Sequence, residues 1–229
     1  MACFLLLAMV SALLHATLLS YGGDPSFVTG GTYDGFYNVQ STLGFADQIC
    51  GTFTIPVGES WRITAVYGQI GDPDPGAQTP LANWDIRTGM STSSMGTDVA
   101  HGTSTNANTT WVSFAEAING DTSFTLTINL SSTPVILTGG KTYDLSAQPI
   151  DSSDFNMFLG IGTGTNLVGT QNELFYFTMS NFPGDIVSTA NYTSLGVVGT
   201  ESTPEPGTLM LAGSMLAVLL LRRRRTPDR

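Results

Sequence analysis

The feature that most constrains this chain is a series of short segments in which apolar and polar residues alternate with a period of two. In residues 123–130, Phe124, Leu126, Ile128 and Leu130 alternate with Thr125, Thr127 and Asn129. A strand turns successive side chains to opposite faces, so this pattern specifies a strand with one buried face. The same alternation sets Ala82, Trp84 and Ile86 against Asn83, Asp85 and Arg87, and Tyr143, Leu145 and Ala147 against Asp144 and Ser146. In residues 61–70 it predicts that Trp61, Ile63, Ala65 and Tyr67 share a face, and in residues 110–114 it pairs Trp111 with Ser113 and Val112 with Phe114. Residues 173–179 are apolar on both faces, which predicts a strand inside a sheet. Turn signals separate the runs: Pro56-Val57-Gly58, Asn119-Gly120-Asp121, Gly139-Gly140 and the Gly/Asp/Pro cluster at 71–76. Residues 22–203 hold no helical stretch, and Thr, Ser, Gly, Val, Ile and aromatic residues dominate them. The expected fold is all-β, an antiparallel two-sheet sandwich of jelly-roll-like type. No repeat of roughly 20 to 50 residues is evident, which excludes a solenoid or propeller.

The two ends differ from this body. Residues 1–20 are almost entirely apolar, interrupted only by His15 and small hydroxyl residues, as in the core of a secretory signal. No Lys or Arg precedes the run, so either the α-amino charge stands in for the basic n-region or, the favoured expectation, the start codon lies upstream of Met1. Cuts after Ala12, Ala16 or Gly22 are compatible with the small residues there. At the other end, Pro204, Glu205 and Pro206 cannot join a helix, because each proline lacks an N–H and disfavours the helical region for the residue before it. An apolar run at 208–221 follows, then Arg222, Arg223, Arg224 and Arg225, which stay on the cytoplasmic side of a bilayer. The 15 residues from Gly207 to Leu221 make only about 22 Å of helix at 1.5 Å per residue. A stable span takes about 20 residues, so this one suits a temporary anchor. The expected organisation is a signal peptide at 1–22, a β domain at 23–189, a Ser/Thr/Gly-rich spacer at 190–203, the tail at 204–225 and a cytoplasmic end at 226–229.

The tail resembles the PEP-CTERM sorting signal of Gram-negative bacteria, over 204–225. The resemblance implies that an exosortase, a membrane-embedded enzyme related to cysteine transpeptidases, recognises Pro204, Glu205 and Pro206 and processes the tail. It implies export through the Sec translocon, a transient inner-membrane anchor, and delivery to the cell surface or the extracellular biofilm matrix. The body, over roughly 45–150, resembles the choice-of-anchor domains that precede such tails, through the Trp-led run at 61–70 and the stretches at 84–103 and 134–148. That resemblance implies an extracellular β-sandwich of unassigned biochemical role.

Charge narrows the partners. Up to Pro206 there are 17 acidic residues against Arg62, Arg87 and Lys141, so the body is near −14. It lacks the basic patch that nucleic-acid phosphates require. Apart from Cys3, inside the expected signal, the only cysteine is Cys50, so no internal disulfide is available. Its position at the start of a strand predicts burial.

No catalytic constellation is evident, and the protein is expected not to be an enzyme. His101 is the only imidazole of the body, and Cys50 with His101 is a nucleophile–base pair in the formal sense alone. The glycines at 160–164 lack the Lys-Ser/Thr of a phosphate loop and are expected in a loop between strands. Asp72 and Asp74, and Asp151 and Asp154, are loop carboxylates of the kind Ca²⁺ takes, which makes Ca²⁺ the one candidate cofactor. Trp61, Trp84 and Trp111 have two readings: core residues, or stacking faces for the sugar rings of an exopolysaccharide. The carbohydrate-binding alternative requires at least two of them exposed on one sheet face. A second alternative, a secreted hydrolase, requires carboxylates converging in a cleft.

Overall fold

The longest alternating run of the sequence becomes the longest strand, and one sheet is built along both of its edges. The computed structural model describes residues 16–23, 36–38, 47–72, 81–116, 122–150, 158–162, 167–169, 174–178, 186–189 and 192–202. The strands are β1 (Thr17–Tyr21), β2 (Phe36–Asn38), β3 (Asp47–Ile55), β4 (Ser60–Asp72), β5 (Ala82–Thr88), β6 (Thr97–Thr103), β7 (Thr109–Glu116), β8 (Thr122–Asn129), β9 (Val135–Thr138), β10 (Lys141–Pro149), β11 (Phe158–Gly162), β12 (Leu174–Thr178), β13 (Val187–Thr189), β14 (Tyr192–Thr193) and β15 (Leu195–Ser202). Among the described residues nine strands form one sheet, in the order β1-β15-β4-β11-β14. In it β8 and β9 pair with β4, β7 with β8, and β2 with β11. The other six form the sheet β13-β12-β3-β10-β5-β6. The pairings are antiparallel. β12 lies between β13 and β3, as its two apolar faces predict.

Both sheets feed one core. Ile49, Phe53, Trp84, Ile86, Tyr143 and Leu145 come from the six-stranded sheet, and Trp61, Ile63, Val66, Ile70, Leu126, Ile128, Leu137, Leu195 and Val197 from the other. Each buried side chain of this size contributes about 1.5–3 kcal/mol. The alternating sets predicted in β5, β8 and β10 all face this core.

One phase prediction fails, and a bulge is the reason. Val198 pairs with Ala65 and Gly199 with Ile63, so Thr64 is an extra residue on β4. An unpaired residue inverts the side-chain alternation beyond it. Trp61 and Ile63 therefore point inward, but so do Val66 and Ile70, while Ala65 and Tyr67 are only half-buried.

Both boundaries of the body also differ from expectation. Residues 17–21, inside the segment read as signal, form β1 against β15, with Leu19, Ser20 and Tyr21 buried. Residues 195–202, read as spacer, form β15, paired with β1 on one side and β4 on the other. Leu195 and Val197 are fully buried. The glycines that made this segment look like a linker serve close packing instead. A Cβ at Gly196 would overlap the Tyr67 ring, and one at Gly199 the carbonyl oxygen of Arg62. The expected signal up to residue 15 and the tail from 203 lie outside the described residues. Among the described residues no helix is long and apolar enough to cross a membrane.

Candidate functional site

The alternation that sends Trp84 and Ile86 inward also sends Asn83, Asp85 and Arg87 outward, and the neighbouring strands do the same. Register builds three polar rows on the outer face of the six-stranded sheet. Ser146, Asp85 and His101 form one row across β10, β5 and β6. Gln148, Asn83 and Thr103 form the second, and Asp144, Arg87 and Asp98 the third. Gln48 of β3 joins them. A cleft of about 480 Å³ opens on this face, lined by Gln48, Asn83, Asp85, Arg87, His101, Thr103, Ser146 and Gln148, and reaching Trp84 and Gly102. Gly102 lies close to the indole of Trp84, where a Cβ would come within about 3.1 Å of the ring.

Several of these polar residues are buried: Asp85 is 7% exposed, Gln48 8%, Gln148 7%, and Asp144 and Ser146 2% each. Buried polar groups need partners. Asp85 Oδ2 accepts from Gln48 Nε2 at 2.8 Å and from Arg87 Nε at 2.8 Å. Asp85 Oδ1 is buried with no partner, a state that costs on the order of 1–3 kcal/mol. Burial works against the charge of Arg87, but the hydrogen bond and field of Asp85, with Cys50 and Asp98 adding, outweigh it and hold its pKa above the usual value. At the cleft edge Thr103 Oγ1 donates to Asn83 Oδ1 at 2.7 Å, and His101 Nδ1 meets Asp98 Oδ2 at 2.6 Å.

Cys50 is fully buried, as predicted, among Met90, Met95 and Ile186. Burial, then the fields of Asp85 and Asp144, push its thiol well above the usual range. A protonated thiol is a poor nucleophile. It also sits three strands from His101, roughly 14 Å at about 4.8 Å per strand. Ser146 is two strands from His101, with Asp85 between them. Neither pair has hydrogen-bond reach for nucleophile activation.

The tryptophans do not form a stacking face. Trp61 is 4% exposed, its ring parallel to Phe53 with centroids 5.8 Å apart, and its Nε1 donates to Glu59 at 3.0 Å. Trp84 is buried in the core, 9% exposed. Trp111, half-buried, packs edge-on against Phe124 at 6.1 Å on the other sheet. The condition set for a stacking site, two exposed on one face, is not met.

Of the carboxylates considered for Ca²⁺, Asp72 ends β4, while Asp74, Asp151 and Asp154 lie outside the described residues. Among the described residues no group of three or more His, Cys, Asp or Glu side chains is placed to hold a metal. Gly160–Gly162 close β11 instead of forming the expected loop. Pro204, Glu205, Pro206 and Arg222, Arg223, Arg224 and Arg225 lie outside the described residues.

The fold and the cleft define a class: an all-β protein of two antiparallel sheets with a polar cleft on the outer face of one. No protein-family model, curated protein or solved structure matches the chain.

Proposed function

We propose that this is an exported bacterial protein, sorted to the cell surface or the extracellular matrix by processing at Pro204-Glu205-Pro206, with no chemistry of its own. The observation that carries the reading is the pairing of β1 with β15. Thr17 pairs with Gly199, and β15 runs on to Ser202. The start of β1 at Thr17 and the end of β15 at Ser202 therefore lie at the same end of the sheet. An apolar signal segment and an apolar sorting tail both need the body on the outer side of one bilayer, and a single exit end meets that need without threading either segment around the fold. In this reading the partners are the Sec translocon, an exosortase-type enzyme and the polysaccharide matrix. The fold is a jelly-roll-like sandwich, supported by a chain that crosses between the sheets from β3 to β4, β4 to β5, β6 to β7 and β9 to β10.

Glu205→Gln tests the motif. In a host with the processing enzyme, this variant is expected to stay full-length in the membrane fraction while the parent is shortened and released. Normal release of the variant contradicts the assignment.

A further inference from the structure

We propose that the cleft on the six-stranded sheet binds a neutral saccharide through hydrogen bonds to its hydroxyl groups. The inference is independent of the tail and stands or falls without it. Two groups at the cleft are left incomplete. Asp85 Oδ1, on a residue more than nine-tenths buried, has no donor. Arg87 commits Nε to Asp85, and no hydrogen bond engages its terminal amino groups among the described residues. Asp85 Oδ1 is itself closed to solvent, but the Arg87 edge lacking an acceptor can take a hydroxyl oxygen while the rim groups of Asn83 and Thr103 accept its proton, so the open lining matches a group that gives one bond and takes another.

Charge selects among ligands. Asp85, Asp98 and Asp144 share the face with the single guanidinium of Arg87, so an anion meets net repulsion. A metal cation meets Arg87 and no set of three ligating side chains. What remains is a neutral ligand rich in both donors and acceptors, and Asn83, Gln148, Thr103 and Ser146 supply both. The volume, about 480 Å³, lies in the range of small-molecule sites, about 300–1,000 Å³. This site uses the polar face that the strands turn away from the core, not the tryptophan faces that the sequence suggested.

The test uses the full chain in a detergent without a sugar headgroup. It is titrated with neutral gluco-, manno- and xylo-oligosaccharides of two to four units and with oligogalacturonides of matched length. Calorimetry reports binding. Saturable binding of at least one neutral series is expected, with oligogalacturonides weaker. Asn83→Ala and Arg87→Lys are each expected to weaken it at least tenfold. Asn83 sits at the rim, so its variant keeps the fold, checked by an unchanged melting temperature without ligand. No binding by any neutral series, a preference for the acidic one, or unchanged affinity in a folded Asn83→Ala overturns the proposal.

Discussion

Gly199 shows how much a single residue decides. Its hydrogen occupies the space against the Arg62 carbonyl that a methyl group would need. Gly199→Ala is expected to cost about 1–3 kcal/mol, the usual range for overpacking, and to lower the melting temperature by several degrees in a thermal scan. Cys50 sets a second test at this scale. Its folded pKa is raised, so its contribution is whole below the unfolded thiol value of about 8.5 and is lost as pH climbs towards the folded value. In that window the unfolded chain has released the proton that the folded chain keeps, and stability falls by up to about 1.4 kcal/mol per pH unit. Urea melts of the parent and Cys50→Ala between pH 7 and pH 10 are expected to show a shallower alkaline decline in the variant. Parallel declines contradict the buried, protonated thiol.

At the scale of elements, the sheet depends on its outermost partners. β1 covers one edge of β15 and β4 the other. A chain beginning at residue 17 keeps this arrangement, whereas one beginning at residue 23 leaves β15 as an open edge with its Leu19 and Tyr21 cover removed. The shorter chain is expected to melt lower and to aggregate, which light scattering during a thermal ramp would detect; equal behaviour of the two contradicts β1 as part of the fold. If the first segment is a cleaved signal, cuts after Ala12 or Ala16 preserve β1 and a cut after Gly22 does not. The strands with uniform alternation, β5, β8 and β10, were legible residue by residue, because an apolar face packed on the core and a polar face turned away from it leave a period of two, even where Asp85, Asp144 and Ser146 on the polar face are buried as well. β4 was legible only as far as Ile63, because the Thr64 bulge arises from the pairing with β15 and leaves no mark in β4 itself. β15 was missed because glycines that relieve crowding have the same composition as glycines that confer flexibility. The cleft was half-legible. Asn83, Asp85 and Arg87 could be assigned to one face of β5, but the placement of Gln48, Ser146 and His101 beside them depends on the order β3-β10-β5-β6.

For the whole molecule, charge is split between an acidic body and a basic tail, the division that the proposed export of the body and retention of the tail would use. Only Arg62, Arg87 and Lys141 balance the acids before residue 207, and Arg222 to Arg225 follow the apolar run. The structure brings the motif closer to the body than composition implied. Ser202 still pairs with Ser60, which leaves Thr203 alone between the last strand and Pro204. In the proposed reading, the processing enzyme would work close to the sheet end that holds Ser60 and Thr138. The most direct measurement is the intact mass of the protein, with fractionation, from a host that has the exosortase and from one that lacks it. The account predicts a shortened, released form only in the competent host, starting at or before Thr17 and ending beyond Ser202. The same full-length membrane form in both hosts would contradict it.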